Sequence, residues 1–472
     1  MLARKIALNT IVSALARIVG TALALVTIGL ATRYLTKTEW GEYSLVLTFG
    51  GIFAVLAEWG LYQLMVREIS KEGADEEKIA SNLFTLRLII SLFIFVLAPL
   101  ISLLFPYSNQ ARMAILIGMA GFWLLSGTQV LMGVFQKYLR MDKVGLAEVV
   151  GRAIQLALVF LFIKINLGLL WIVLALALSS LANFILVFLF ARQYVRVRLA
   201  FDISFWKKSF VQSFPLAISN ILVMIYFSTD SLFLSVFKPV TDVGIYRLPY
   251  KILESLIFFP AMFVGLIMPL LSRFANSNWP QFKNVFQRAF DVIVVFTIPL
   301  VAGTLVLSPR IIDLLGGGRY PESAGVLNVL IVAVGAVFLG TLFSFALIAA
   351  EKQRTLLKIS LAGAVVNVVL NLVLIPRYSY MAAAATTVLT EALVAFLMMA
   401  AIYRSLRFWP SSRAVFKSLL AAGAMAIVLF YLRFLNLFIL MALALLIYFG
   451  LLYLIRGFSS RDISELIKKD EV

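Results

Sequence analysis

The 472-residue chain contains no cysteine and no histidine. The first absence excludes disulfides, thiolate metal sites and cysteine nucleophiles. The second removes imidazole metal ligands and histidine proton relays. Charge is also scarce, with Asp, Glu, Lys and Arg making up 14% of the residues against about 25% in an average soluble domain. No polar stretch exceeds about 20 residues, which leaves no room for a large soluble domain. What fills the chain is apolar: 62% hydrophobic residues and a mean hydropathy of +1.02. Fourteen long apolar stretches follow one another, and crossing a bilayer core about 30 Å thick takes roughly 20 apolar residues of helix. This is an integral membrane protein.

The spans are expected at 6–32, 42–66, 79–104, 111–135, 144–163, 167–191, 209–236, 243–270, 287–307, 322–349, 356–375, 381–403, 414–434 and 437–456. The runs are continuous rather than alternating, so helices are expected and strands are not. Met1–Thr10 carries only Arg4 and Lys5, and the apolar run behind it is too long for a signal-peptide core. It reads as a retained first span. Of the 41 basic residues, 27 fall in every second connection and the two ends, nine in the alternate connections and five inside spans. Because Lys and Arg are retained in cytoplasmic loops, this bias places both termini in the cytoplasm. The net charge of +18 is accordingly a topology signal, and no nucleic-acid partner is expected.

An internal repeat is visible. Thr38-Glu39-Trp40-Gly41-Glu42-Tyr43-Ser44-Leu45 opens span 2 and Thr241-Asp242-Val243-Gly244-Ile245-Tyr246-Arg247-Leu248 opens span 8, an offset of 203. Ala191-Arg192 ends span 6 and Tyr403-Arg404 ends span 12, an offset of 212. Spans 1–6 and 7–12 therefore read as two copies in one orientation, related by a pseudo-two-fold axis along the membrane normal. The domains expected are 1–205, 206–405 and an appended pair of helices with a tail at 406–472. Two six-helix halves, two extra helices, and the stretches Ser228-Thr229-Asp230-Ser231-Leu232-Phe233-Leu234, Val243-Gly244-Ile245-Tyr246 and Pro269-Leu270-Leu271-Ser272 resemble polysaccharide flippases. These belong to the multidrug/oligosaccharidyl-lipid/polysaccharide exporter superfamily, and the resemblance covers essentially the whole chain. It implies a V-shaped pair of lobes around a central cavity of alternating access. It also implies export of a polyprenyl- or dolichyl-linked oligosaccharide.

Charges inside apolar runs are costly and mark function by default. Asn9, Ser13, Arg17 and Thr21 recur every four residues and form one polar stripe on span 1. Arg17 offers a permanently charged bidentate fork for a phosphate, and snorkelling to the inner surface is its alternative use. Arg87 in span 3 has no acidic neighbour at helical spacing and is a second cavity candidate. Arg247 and Lys251 lie i,i+4 on span 8 as a further cationic station, unless Lys251 closes on Glu254. Arg152 has Glu148 four residues before it, the orientation of an intrahelical structural pair. Gln212, Ser219, Tyr226 and Asp230 share a stripe on span 7, where Asp230 is a partner for an arginine, a coupling-ion ligand or a packing residue. Glu58 and Glu391 are similar candidates. Asn183, Asn220, Asn367 and Asn371 are expected to bond between helices.

Pro215, Pro249, Pro260, Pro269 and Pro299 permit bends in the second half. Gly316-Gly317-Gly318 lacks the Lys-Ser/Thr of a phosphate loop and reads as a turn. Segment 67–78 is expected as a short surface helix, and 458–472 as a segment lying on the membrane. No metal site and no cofactor are expected, and no Walker motif is present.

The function expected is a non-enzymatic flippase for a polyprenyl- or dolichyl-(pyro)phosphate-linked oligosaccharide in the plasma membrane. Its partners would be that substrate, membrane lipids and glycan-assembly enzymes around a monomer. The rivals are a cation-coupled multidrug antiporter, a peptidoglycan-precursor flippase and, from another class, a membrane glycosyltransferase or polymerase. The last normally needs an acidic cluster on an outer loop, and the largest one, near 308–321, offers only Asp313.

Overall fold

In the computed structural model the backbone is described for residues 2–275 and 277–455, and side-chain surroundings for these except 2–11, 215–216, 218–228 and 406. Asn9, Pro215, Ser219, Asn220 and Tyr226 as side chains, and the tail 458–472, lie outside the described residues. Fourteen helices are described: α1 Leu2–Tyr34, α2 Lys37–Glu58, α3 Leu61–Ile69, α4 Glu76–Ser102, α5 Asn109–Lys137, α6 Met141–Lys164 and α7 Leu169–Ala191. They continue with α8 Ile203–Phe237, α9 Val240–Ala275, α10 Trp279–Gly316, α11 Pro321–Ala349, α12 Gln353–Leu406, α13 Arg413–Tyr431 and α14 Leu437–Leu454. Twelve of the helices are, among the described residues, long and apolar enough to cross a membrane.

Helix starts follow their local chemistry. Thr36 and Glu39 form a reciprocal capping box at α2, and Asp75, Ser108 and Asp202 accept backbone N–H groups at the starts of α4, α5 and α8. Two expectations need correction. The run 42–66 is not one helix, because Trp59 and Gly60 both take left-handed backbone angles, φ 48° and 68°, and separate α2 from α3. The connection 67–78 is not a surface helix either. It holds the end of α3, a turn and the start of α4. Helix α12 has 54 residues, about 80 Å at 1.5 Å per residue, far beyond one crossing. Its break at Ser379, φ 53° and ψ −136°, divides it into the two crossings expected at 356–375 and 381–403. Helices α9 and α10 run on through Pro249, Pro260, Pro269 and Pro299.

The chain packs as two units, Met1–Gly244 with Leu315–Arg319, and Ile245–Leu314 with Tyr320–Val472. In the first, Leu64 and Met65 of α3, Leu83 and Phe84 of α4, Leu131 and Phe135 of α5 and Val187 of α7 share one core. Small residues let backbones approach, as membrane helices require. A Cβ on Gly121 of α5 would stand 2.9 Å from the Ala177 Cα of α7. A closer backbone approach joins the two matching segments of the repeat. A Cβ on Gly41 would lie 2.1 Å from the Val240 carbonyl oxygen, and one on Gly244 would lie 3.2 Å from the Gly41 Cα. Trp40 Nε1 donates to the Gly244 carbonyl at 3.0 Å across this contact. The Gly316–Gly318 turn closes α10, and there Thr32 donates to the Leu315 carbonyl at 2.6 Å. In the second unit α13 and α14 pack on α10 through Met425, Leu429, Leu440 and Val295, with Tyr448 donating to the Val295 carbonyl at 2.8 Å. Large apolar side chains such as Phe93, Phe396 and Leu446 are more than half exposed, the outward face that a lipid solvent calls for.

Candidate functional site

Arg17 stands midway along α1, half-exposed. Its guanidinium lies 3.2 Å from the Glu148 carboxylate of α6. Close packing brings the helices together at this level, since a Cβ on Gly145 would meet the Ala16 side chain at 2.7 Å. Glu148 is therefore not the intrahelical partner of Arg152. Arg152 donates to Gln155 on its own helix at 3.4 Å and stands near the Tyr43 hydroxyl. The helical spacing permitted the Glu148–Arg152 pair, but the crossing of α1 offers the carboxylate a different guanidinium. Ser13 and Thr21 are partly buried on the same helix as Arg17.

Arg87 is 1% exposed. It donates to the Ala57 carbonyl, to the Ser126 carbonyl at 3.3 Å and to Gln129 Oε1 at 2.8 Å. The Ala57 carbonyl belongs to the last turn of α2, where the break at Trp59–Gly60 removes the next helical donors. The guanidinium thus replaces bonds that the backbone cannot make in an apolar setting. Glu58 is half-buried and close enough to act electrostatically on Arg87 and on Tyr62. Trp59 stacks on Phe210 of α8 with centroids 4.6 Å apart. Gln212, two residues on, is exposed and accepts from Arg67 at 3.0 Å. Asp230 near the end of α8 is 4% exposed and accepts the Ser231 N–H at 2.6 Å.

In the second unit Glu254 holds two cations of α9, Arg247 at 3.3 Å and Lys251 at 2.5 Å. The Arg247 guanidinium lies 5.1 Å from the Tyr250 ring centroid and its side chain is buried. Glu391 of α12 is 8% exposed. Asn371 donates to Asn367 at 2.9 Å within α12, one turn apart, so these two bond along one helix and not between helices. Asn183 is buried where α7 meets Gly151 of α6. Among the described residues no group of three or more Asp or Glu is placed to hold a metal ion.

Sequence reasoning missed three features here. Glu148 as the partner of Arg17 depends on two helices 131 residues apart and left no local signal. The helix break lies inside an uninterrupted apolar run, marked only by Gly60. The Gly41–Gly244 approach had a signal in the repeat, whose shared glycine has no other local purpose.

Comparison with known proteins places this geometry. The family model described as Polysaccharide biosynthesis protein matches residues 6–275, more than half of the chain. The chain belongs to the polysaccharide biosynthesis protein family. A second model, MatE, matches residues 215–373. The Haloferax volcanii protein named Probable flippase AglR is 27% identical over 218 residues, 45% of either chain, so this match spans less than half of that relative. Probable low-salt glycan biosynthesis flippase Agl15, from the same organism, is 23% identical over 390 residues, covering 80% of this chain and 79% of the relative.

Among solved structures, Lipid II flippase MurJ in an inward closed conformation superposes with a TM-score of 0.75 at 15% identity, covering 98% of this chain and 100% of MurJ. An inward-facing multidrug resistance MATE family transporter gives 0.66 at 15% identity, covering 84% and 98%. These likenesses show a shared fold. The helices long and apolar enough to cross a membrane make the chain a multi-pass membrane protein.

Proposed function

We propose that this protein flips a polyprenyl- or dolichyl-(pyro)phosphate-linked oligosaccharide across the plasma membrane by alternating access, for assembly of a cell-surface glycan. The observation that carries the reading is the family match over 6–275, joined by two relatives named as flippases. No covalent bond is made or broken in this step, so the residues act by binding and by moving with their helices. The bias of Lys and Arg toward every second connection supports a topology with both termini in the cytoplasm.

Arg17 is the proposed phosphate anchor. Its fork suits a phosphate, and half of the side chain remains exposed with Glu148 on one edge. Glu148 then competes with the substrate for the guanidinium. Arg247 and Lys251 are a separate anion-binding pair in the second unit, held by Glu254. Arg87 joins them only in a conformation that releases Ala57, Ser126 and Gln129. Asp230, Glu58 and Glu391 are the carboxylates available for ion coupling. The test is binding of a polyprenyl-phosphate-linked oligosaccharide to the purified protein, wild type beside Arg17→Ala. Tight binding lost in the variant supports the reading. Absent binding to the wild type, with saturable binding of a lipophilic cation instead, supports a multidrug antiporter, the reading favoured by the MatE match over 215–373.

A further inference from the structure

The connection between α7 and α8 is extended and bonded to a helix on one side. Val195 and Val197 are buried in the core of the first unit, while Arg196 and Arg198 between and after them are exposed. From there the backbone is held by polar side chains of α4. Ser81 Oγ accepts the Arg198 N–H at 3.1 Å, Thr85 Oγ1 the Ala200 N–H at 2.9 Å, and Asn82 Oδ1 the Asp202 N–H at 2.9 Å. The order of these acceptors along α4 gives the path. The chain enters at Ser81, reaches one turn further along the helix at Thr85, and returns to Asn82 before α8 begins. Thr85 is nine residues past the first residue of α4, about 14 Å along its axis.

At the tip of this dip Leu199 and Phe201 are 64% and 65% exposed, and Ile203 after them 63%. The shallow arms carry the charge: Arg196 and Arg198 on entry, Lys207 and Lys208 in the first turns of α8, all exposed. The acid within the segment is already engaged, since Asp202 caps α8 and meets Lys78 at 2.9 Å. Arg196 reaches Glu77 at only 4.0 Å, and both are exposed. Non-helical backbone is tolerated at membrane depth only when its polar groups are satisfied, and Ser81, Asn82 and Thr85 do this.

We propose that this connection is a wedge into the leaflet on its own side and a binding surface for anionic phospholipid headgroups. Leu199, Phe201 and Ile203 sit at the boundary of headgroups and acyl chains, and Arg196, Arg198, Lys207 and Lys208 bind the lipid phosphates above them. The occupant follows from the charge, because an apolar tip beneath four cations matches a negatively charged bilayer surface. The proposal does not depend on what the protein transports.

The absence of native cysteine makes the test direct. Phe201→Cys and Arg196→Cys are each spin-labelled and reconstituted in vesicles of phosphatidylcholine with about one-third phosphatidylglycerol. The label at 201 is expected to collide with lipid-dissolved oxygen and be shielded from an aqueous nickel chelate, and the label at 196 to show the reverse. Separately, protein in detergent is equilibrated with both lipids and the retained lipid is counted by mass spectrometry. Arg196→Gln, Arg198→Gln, Lys207→Gln and Lys208→Gln combined should reduce the preference for phosphatidylglycerol about tenfold or more while leaving the melting temperature unchanged. An aqueous-accessible label at 201, or equal retention of the two lipids by the wild type, overturns the proposal.

Discussion

Gly41→Ala adds one methyl group where the two copies of the repeat meet. Its carbon would fall 2.1 Å from the Val240 carbonyl oxygen and 2.7 Å from the Val240 carbonyl carbon. Ordinary contacts begin near 3.4 Å, so the segment at Val240 must retreat by more than 1 Å, and backbone cannot rotate away as a side chain can. The same retreat stretches the 3.0 Å bond from Trp40 Nε1 to the Gly244 carbonyl beyond hydrogen-bonding range. Overpacking costs about 1–3 kcal/mol, and a buried indole N–H left without its acceptor adds about 1–3 kcal/mol. For 472 residues a combined loss of about 4 kcal/mol corresponds to a fall of roughly 4 °C in melting temperature. Gly51→Ala is the control, because it lies on the same helix and its added Cβ meets nothing within 4 Å. That change should be neutral or stabilise by up to about 1 kcal/mol through helix propensity. Melting followed by tryptophan fluorescence in detergent reads both. If Gly41→Ala melts with Gly51→Ala, the close approach of the repeats is not what holds this end of α2.

Glu148→Gln should tighten binding of a polyprenyl-phosphate-linked oligosaccharide about two- to fivefold, because a half-exposed pair is worth no more than about 1 kcal/mol. Unchanged affinity would remove Glu148 as a competitor for Arg17. Arg87→Met leaves the Ala57 carbonyl and Gln129 Oε1 without their buried donor and should cost about 3 kcal/mol, read as a lower melting temperature. Lost transport with unchanged melting would assign Arg87 to substrate instead. For Asp202, the Phe205 N–H and then Lys78 hold the carboxyl below its ordinary value of 3.8. Its contribution is therefore complete above that value and disappears as the pH falls through the lowered one. A spin label at residue 201 should gain mobility in acid below about pH 4, and an Asp202→Ala background should show that mobility already at pH 7.

Much of the candidate site was visible as charge out of place. Arg17, Arg247 and Lys251 stand out because an apolar run offers no other reason for them, and the Lys251–Glu254 spacing already described a pair that the structure contains. Their partners were less legible. Glu148 had a guanidinium four residues away and another on a helix 131 residues distant, and only the crossing of α1 on α6 selects the second. Arg87 carried the same signature as Arg17, a lone cation in a span, yet it bonds the Ala57 carbonyl beside a helix break and two acceptors on α5. Hydropathy cannot separate these two uses of arginine, because both are equally expensive in lipid.

The bilayer explains why the class and the approximate number of crossings could be read from residues alone. Its thickness sets the length of each apolar run and its apolar core removes every alternative to helix. That constraint acts on each segment locally, so composition and spacing carry it. Gly60 marks the break at Trp59–Gly60 and the repeat marks Gly41, but neither names the partner it meets, and the dip of the α7–α8 connection against Ser81, Asn82 and Thr85 carries no local mark. Each depends on which donor or backbone a neighbouring helix presents at one level, and that is settled only when the helices have packed.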